Sequence, residues 1–259
     1  MVVFAVRPHM DSVRTAHGGF SAGVKSMGKA KMVDGLLVDF DGTACPQDVT
    51  GELCLRFARG DWERYDEAAR DGEITLRQAI DRQTRMLRAS REEMLAFCLA
   101  SFTVDPDFVA LTGWASHAEV AIGVVSDGFG FFIKPMLKAV GLTGLPVYAN
   151  DIGHDRDGWR LEHPHGHARC RGCGTCKKAI VLRHRARFGS VAFVGDGESD
   201  RFAVYYADFA FAKRRLREIC VRDRIAHSEW STFGDVRARL AQGQAPPHYD
   251  PAVCPGWTT

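Results

Sequence analysis

Leu36-Leu37-Val38-Asp39-Phe40-Asp41-Gly42-Thr43 is a short apolar run that stops at two carboxylates one residue apart, followed by glycine and threonine. A run of this kind is that of a parallel strand buried on both faces. Asp39 and Asp41 then stand where the strand gives out, at the carboxyl edge of a sheet, which is where open α/β folds place their ligands. An aspartate pair there can hold a hard cation and still offer one carboxylate as a nucleophile. Asp-x-Asp-Gly also suits a turn or a helix cap, so its meaning rests on what the rest of the chain supplies.

Two further apolar runs end in the same manner. Val120 to Ser126 stops at Ser126-Asp127-Gly128, and Val191 to Val194 runs into Gly195-Asp196-Gly197-Glu198-Ser199-Asp200. Strands are also expected at 146–150 and 209–212, a small hairpin around Trp159-Arg160-Leu161, and helices at 131–140, 177–187, 199–207 and 231–240. This alternation predicts a Rossmann-like, three-layer α/β core with a parallel sheet. Right-handed crossovers bring all the strand ends to one edge. Asp39, Asp41, Ser126, Asp196 and Asp200 are therefore expected to converge. Several acids within a few ångströms repel unless a cation lies among them, which predicts bound Mg²⁺.

Between the first two strands the character changes. Residues 53–59, 62–69, 74–87 and 91–99 read as short helices rich in Arg, Glu and Ala, punctuated by Gly60-Asp61 and Asp71-Gly72, with Ser90 and Glu93 forming a capping box. The expected organisation is a core of residues 33–44 and 116–242, a small helical cap domain of 45–115, a disordered N-terminal extension of 1–32 and a flexible tail of 243–259. The extension is basic and acid-poor, and Met27 or Met32 is a candidate true start.

Composition excludes several classes of function. With 34 basic against 32 acidic side chains the formal charge is only +2, which shows no electrostatic footprint for nucleic acid. No apolar run approaches the roughly 18 residues of a membrane helix. Eight cysteines in a chain of 259 residues do not resemble a small secreted disulfide scaffold, and a reducing cytoplasm is expected.

Asp39-Phe40-Asp41-Gly42-Thr43, Ser126-Asp127-Gly128, the helix-opening Lys177, and Gly195-Asp196-Gly197 with Asp200 together resemble the four ordered motifs of the haloacid dehalogenase (HAD) superfamily. The helical insertion after the first motif is similar to that of its phosphoserine phosphatase-like branch. Gly60-Asp61-Trp62, Gly72-Glu73-Ile74, Ile133-Lys134-Pro135, Val147-Tyr148-Ala149-Asn150 and Cys173-Gly174-Thr175-Cys176-Lys177 resemble the methionine-salvage phosphatases acting on 2-hydroxy-3-keto-5-methylthiopentenyl 1-phosphate.

The resemblance implies a Mg²⁺-dependent phosphatase for a small phosphorylated metabolite. Asp39 would attack phosphorus to give an aspartyl-phosphate, and Asp41 would protonate the leaving oxygen and then deprotonate water. The metal ligands implied are Asp39, the Asp41 carbonyl and Asp196; Ser126, Asp127 and Lys177 would bind phosphate, with Asp200 orienting the metal shell or Lys177. Lys178 is the rival for the lysine role. An acid at position 41 favours hydrolysis, although a phosphotransferase would use the same aspartyl-phosphate. The protein would be a monomer or homodimer.

The stretch from His163 to Cys176 admits a different reading. Cys170, Cys173 and Cys176 with upstream histidines have the spacing of a structural zinc site, which would make the chain a zinc-bearing interaction module on a HAD-like scaffold. Packing cysteines that shape the loop are the other reading. Arg77, Arg82 and Gln83 could face substrate, but charged residues on small helices are commonly solvated.

Overall fold

The protein was analysed as a computed structural model that describes residues 32–243; the expectations for the N-terminal extension to residue 31 and for the tail from 244 lie outside the described residues. The apolar part of the opening stretch forms β1 (Gly35–Val38), buried at all four positions. Its neighbours are β2 (Ala121–Phe129) and β5 (Val191–Gly195), both parallel, with Val38 level with Val124 and Val194. The sheet is completed by β3 (Val147–Asp155), β4 (Gly158–Glu162), β6 (Phe209–Ala212) and β7 (His227–Glu229). The order is β4-β3-β2-β1-β5-β6-β7, and the β3–β4 pair alone is antiparallel. The chain winds outward on one side of β1 and then on the other. This reversal opens a crevice at the carboxyl ends of β1 and β5.

Strand alternation explains the three layers. Leu36, Val38, Val124, Val194 and Phe211 face one way, into a cluster with helices α5 (Pro106–His117), α6 (Gly130–Ala139) and α10 (Phe233–Ala241). Leu37, Val125, Phe193 and Ala210 face the other way, toward α7 (Lys177–Phe188), α8 (Arg201–Val204) and α9 (Arg214–Arg222).

Between β1 and β2 the chain also forms α1 (Val49–Phe57), α2 (Glu63–Arg70), α3 (Leu76–Met86) and α4 (Arg91–Ser101). Capping boxes open α3 at Thr75 with Gln78 and α4 at Ser90 with Glu93. The β3–β4 hairpin supports this insertion: Leu161 N–H donates to Asp81 Oδ1 at 3.2 Å, Trp159 Nε1 to the Ala89 carbonyl at 2.9 Å and Arg91 Nη2 to Asp151 Oδ1 at 3.0 Å. The last helix of the insertion, α5, lies on the core, where the Phe108 and Phe233 rings are 5.2 Å apart.

The elements differ from expectation in several places, and the whole of α5 was not expected. β2 continues past Ser126 to Phe129, because a register shift between Val125 and Phe129 lets it pair again with β3 at Asn150. The helix expected from 199 begins as a 3-10 turn at Glu198–Asp200, where Asp200 Oδ2 accepts from the Asp196 and Gly197 N–H groups at 3.1 Å each. α9 and β7 were not expected; Leu216, Ile219 and Cys220 have helical spacing inside a run dominated by charge, and His-Ser-Glu carries no apolar pattern. Among the described residues no single helix is long and apolar enough to cross a membrane.

Candidate active site

Asp39 follows β1 directly and is 5% exposed. Its Oδ1 accepts from Lys177 Nζ at 2.8 Å, and the same ammonium donates to Asp200 Oδ1 at 2.6 Å and to Ser199 Oγ at 3.0 Å. Lys177 reaches this position because it is the first residue of α7, at the edge where β1 and β5 end. Asp196 stands one residue beyond β5, with Thr43 Oγ1 donating to its Oδ1 at 3.2 Å and Arg214 Nη1 to its Oδ2 at 3.0 Å. Carboxylate oxygens of Asp39, Asp196 and Asp200 lie within 4.8 Å of one another.

The cluster carries more negative charge than its own cations remove. Burial and then Asp200 push the Asp39 carboxyl well above its ordinary range, against the pull of Lys177. Asp196 is raised for the same reasons, burial first and Asp200 second, with Arg214 opposing. Lys177 is moved down by burial, but Asp200 and Asp39 outweigh this and hold its proton well above the usual lysine range. A buried set of oxygen donors with surplus negative charge fits a hard divalent cation.

Asp41 is turned differently. Its Oδ1 accepts from the Val49 N–H at 2.9 Å and its Oδ2 from Thr50 Oγ1 at 3.0 Å, at the start of α1. Burial, with Asp48 adding to it, pushes this carboxyl up to about 7, so it can carry a proton near neutrality. Ser126, buried, accepts from Gly128 N–H at 2.8 Å. Gly128 closes the corner: a β-carbon there would lie 2.5 Å from Asp41 Oδ2, 2.9 Å from Thr50 Oγ1 and 3.1 Å from Ser126 Oγ. The acid candidate, Thr50 and Ser126 thus meet around one glycine.

A family model described as haloacid dehalogenase-like hydrolase matches residues 36–203, more than half of the chain. The chain belongs to the haloacid dehalogenase-like hydrolases. The 2-hydroxy-3-keto-5-methylthiopentenyl-1-phosphate phosphatase of Brevibacillus brevis is 28% identical over 214 residues, covering 81% of this chain and 96% of the relative. The protein of the same name from Bacillus pumilus is 26% identical over 207 residues, covering 79% and 89%. Among solved structures, one titled as a phospho-aspartyl intermediate analogue of phosphoserine phosphatase superposes with a TM-score of 0.63 at 17% identity, over 81% of this chain and all of that one. It shares the haloacid dehalogenase-like fold.

Within this hydrolase the remaining expected residues are placed as follows. Asp127 accepts from the Thr175 N–H through Oδ1 at 3.1 Å while its Oδ2 is buried without a hydrogen-bond partner, and its charge acts on Lys177. Lys178 is buried with its ammonium 4.3 Å above the Tyr206 ring, whereas the Lys177 ammonium lies on Asp39 and Asp200. Glu198 is exposed and pairs with Arg215 at 3.1 Å. Asp200, expected outside the metal shell, contributes to the triad but has Oδ1 on Lys177 and Oδ2 on two backbone N–H groups.

The cysteine loop is tied to α3, and Cys170 Sγ also accepts from the Gly172 N–H at 3.4 Å. Arg77 donates from Nε to the Cys173 carbonyl at 2.8 Å and from Nη2 to the Cys170 carbonyl at 2.9 Å. Among the described residues the aspartate triad is the group of three or more potential ligands whose donor atoms fall within 4.8 Å; Cys170, Cys173 and Cys176 do not form such a group. Gln83 is buried and donates to Asp66 at 2.8 Å, and Arg82 lies 5.5 Å over the Tyr65 ring.

Four residues at the site escaped the sequence reading of roles. Thr43 and Arg214 hold Asp196, Thr50 holds Asp41, and Asn150 fixes the Asp127 carbonyl at 2.7 Å and faces the Thr175 hydroxyl at 3.3 Å. Thr43 and Asn150 stood at strand ends, the one signal available for them. Thr50 and Arg214 carried none, since one lies in the first turn of α1, ahead of the helix expected from 53, and the other in a basic run.

Proposed function

We propose that this hydrolase is a Mg²⁺-dependent phosphatase that cleaves a small phosphate monoester through an aspartyl-phosphate on Asp39. The observation that carries this reading is the placement of a buried carboxylate, Asp39, 2.8 Å from the Lys177 ammonium, with a second carboxyl, Asp41, held apart on α1 two residues later. One acid lies against a cation that favours its ionised form, the other is kept protonatable by burial. These are the two roles that ester hydrolysis through a covalent intermediate requires.

In this reading Asp39 Oδ1 stays on Lys177 and Oδ2 forms the new bond to phosphorus as the ester P–O bond breaks. Asp41 gives its proton to the departing alkoxide. The aspartyl-phosphate is then attacked by water, whose proton Asp41 takes, and inorganic phosphate leaves with Asp39 restored. Lys177 and Ser126 bind the non-bridging oxygens. Asp39, Asp196 and the Asp41 carbonyl would hold Mg²⁺, which would neutralise charge on the nucleophile and the phosphate. Asp200, already bonded to Lys177 and to two N–H groups, positions the ammonium.

The relatives named for a methylthiopentenyl phosphate support a small phosphorylated metabolite as the substrate class. The helices between β1 and β2 serve as the cap that closes on its leaving group. Hydrolysis of p-nitrophenyl phosphate, phosphoserine, sugar phosphates and the methionine-salvage ester, with and without Mg²⁺, tests the reading. Turnover that needs Mg²⁺ and disappears in Asp39→Asn is expected; activity retained by folded Asp39→Asn would remove Asp39 from the chemistry.

A further inference from the structure

Arg214 opens α9 with φ +48°, the left-handed conformation that residues with a β-carbon adopt only at a cost. The turn it belongs to grips Asp196 at two points. Leu216 N–H donates to the Asp196 carbonyl at 2.9 Å, and Arg214 Nη1 donates to Asp196 Oδ2 at 3.0 Å. From the opposite side Thr43 holds Oδ1, and Gly42, at φ +71°, leaves room for the carboxylate where a β-carbon would overlap it.

The guanidinium approaches from solvent. Its side chain is 61% exposed, whereas that of Asp196 is 13% exposed. The adjacent Lys213 is turned onto the Trp230 ring, 3.8 Å from its centroid, and adds to the field at Asp196 from there. Arg214 is therefore held by a strained backbone against the triad member nearest to water.

Resting on the reading of the triad as a divalent-cation site, we propose that Arg214 competes with the cation for Asp196 and thereby sets how tightly the triad binds it. Both are drawn to the same oxygen cluster. A guanidinium in contact with Oδ2 weakens the field the ion would meet, and the ion's arrival must either loosen the 3.0 Å pair or tolerate a like charge beside it. Because Arg214 is largely exposed its influence is screened, and about a five- to twentyfold effect on affinity is expected.

The test is titration with Mn²⁺, reading the free ion by electron paramagnetic resonance, for wild type, Arg214→Gln, Arg214→Gly, Arg215→Gln and Asp196→Asn. Arg215 pairs with Glu198 instead, so its variant controls for loss of one positive charge nearby. Arg214→Gly also removes the left-handed strain, which keeps the test valid if Arg214→Gln folds poorly. Tighter Mn²⁺ binding in either Arg214 variant, with Arg215→Gln within twofold of wild type by the same screening, is the expected result. Affinity in the Arg214 variants equal to or weaker than wild type, or matched by Arg215→Gln, overturns the proposal while leaving the cation site intact. Wild-type affinity in Asp196→Asn, or no uptake by any protein, overturns the reading of the triad itself.

Discussion

The Lys177 ammonium donates to Asp200 Oδ1 at 2.6 Å with the two side chains 2% and 0% exposed. Replacing the lysine by methionine would leave Asp39, Asp196 and Asp200 facing one another without it. Loss of one partner from a buried ionic cluster costs roughly 3–5 kcal/mol. Lys177→Met is expected to lower the free energy of unfolding by that amount, read from a lowered urea midpoint, and to reduce phosphatase turnover about a thousandfold or more. An unchanged midpoint would mean that the cluster protonates or hydrates at little cost.

Asp41→Asn separates the acid role from the nucleophile. With an alkyl ester the leaving oxygen needs a proton, and kcat is expected to fall about a hundred- to ten-thousandfold. With p-nitrophenyl phosphate the leaving group needs no such help, so the loss of the phosphorylation step should be much smaller. Single-turnover measurements on both esters give the comparison, and equal losses would take Asp41 out of the acid role.

Gly42 lies beneath Asp196 in a left-handed turn. Gly42→Ala combines strain at φ +71° with a clash against the carboxylate, a destabilisation on the order of 1–3 kcal/mol. It should also abolish the rise in melting temperature expected of wild type in saturating Mg²⁺, a rise worth about 2.7 kcal/mol at a hundred times the dissociation constant. Chelation by EDTA should return wild type to the variant's behaviour. A Gly42→Ala protein that still responds fully to Mg²⁺ would show that Asp196 is not a ligand.

Burial pushes the thiols of Cys54, Cys98 and Cys220 up to about 12. In the unfolded chain they titrate near 8.5. Their folded values are raised, so the stability they contribute is intact below the unfolded value and is lost as pH rises through the interval up to the folded one. At pH 10 each unfolded thiolate should favour unfolding by about 2 kcal/mol. Urea midpoints at pH 8 and pH 10 should fall further apart in wild type than in a Cys98→Ala, Cys220→Ala variant. The same separation in both proteins would exclude the thiols as the cause.

The core of this fold was legible because its strands are buried on both faces and end in polar residues. Such strands read as plain apolar runs, and β1, β5 and β6 fell within a residue or two of their expected bounds. Asp39, Asp196 and Asp200 then followed from topology, which brings strand ends to one edge whatever the loops do, and Lys177 followed from the resemblance of its motif. Asp41 and Asp127 show the limit of that argument. Backbone order places their Cα atoms at the edge, but which way each carboxylate turns depends on donors from Val49 and Thr50, at the start of α1, and from Thr175 in a loop, none of them marked by a periodicity to read. Arg214 lay beyond the same limit, because α9 itself was hidden in a charge-rich run whose three inward residues alone betray the helix.

Arg77 on α3 holds two carbonyls of the segment that ends at the N-cap of α7, one residue before Lys177. Its own N–H donates to the Gly172 carbonyl at 3.1 Å as well. The insertion and the lysine are thus parts of one tethered unit that runs through the cysteine loop. An insertion taken from a relative to redirect specificity would arrive without the partner of those carbonyls unless residues 163–176 were transplanted with it. Exchange of specificity in this chain therefore has a natural cassette, made of the insertion together with that loop, with β1 and β5 left as the invariant chassis.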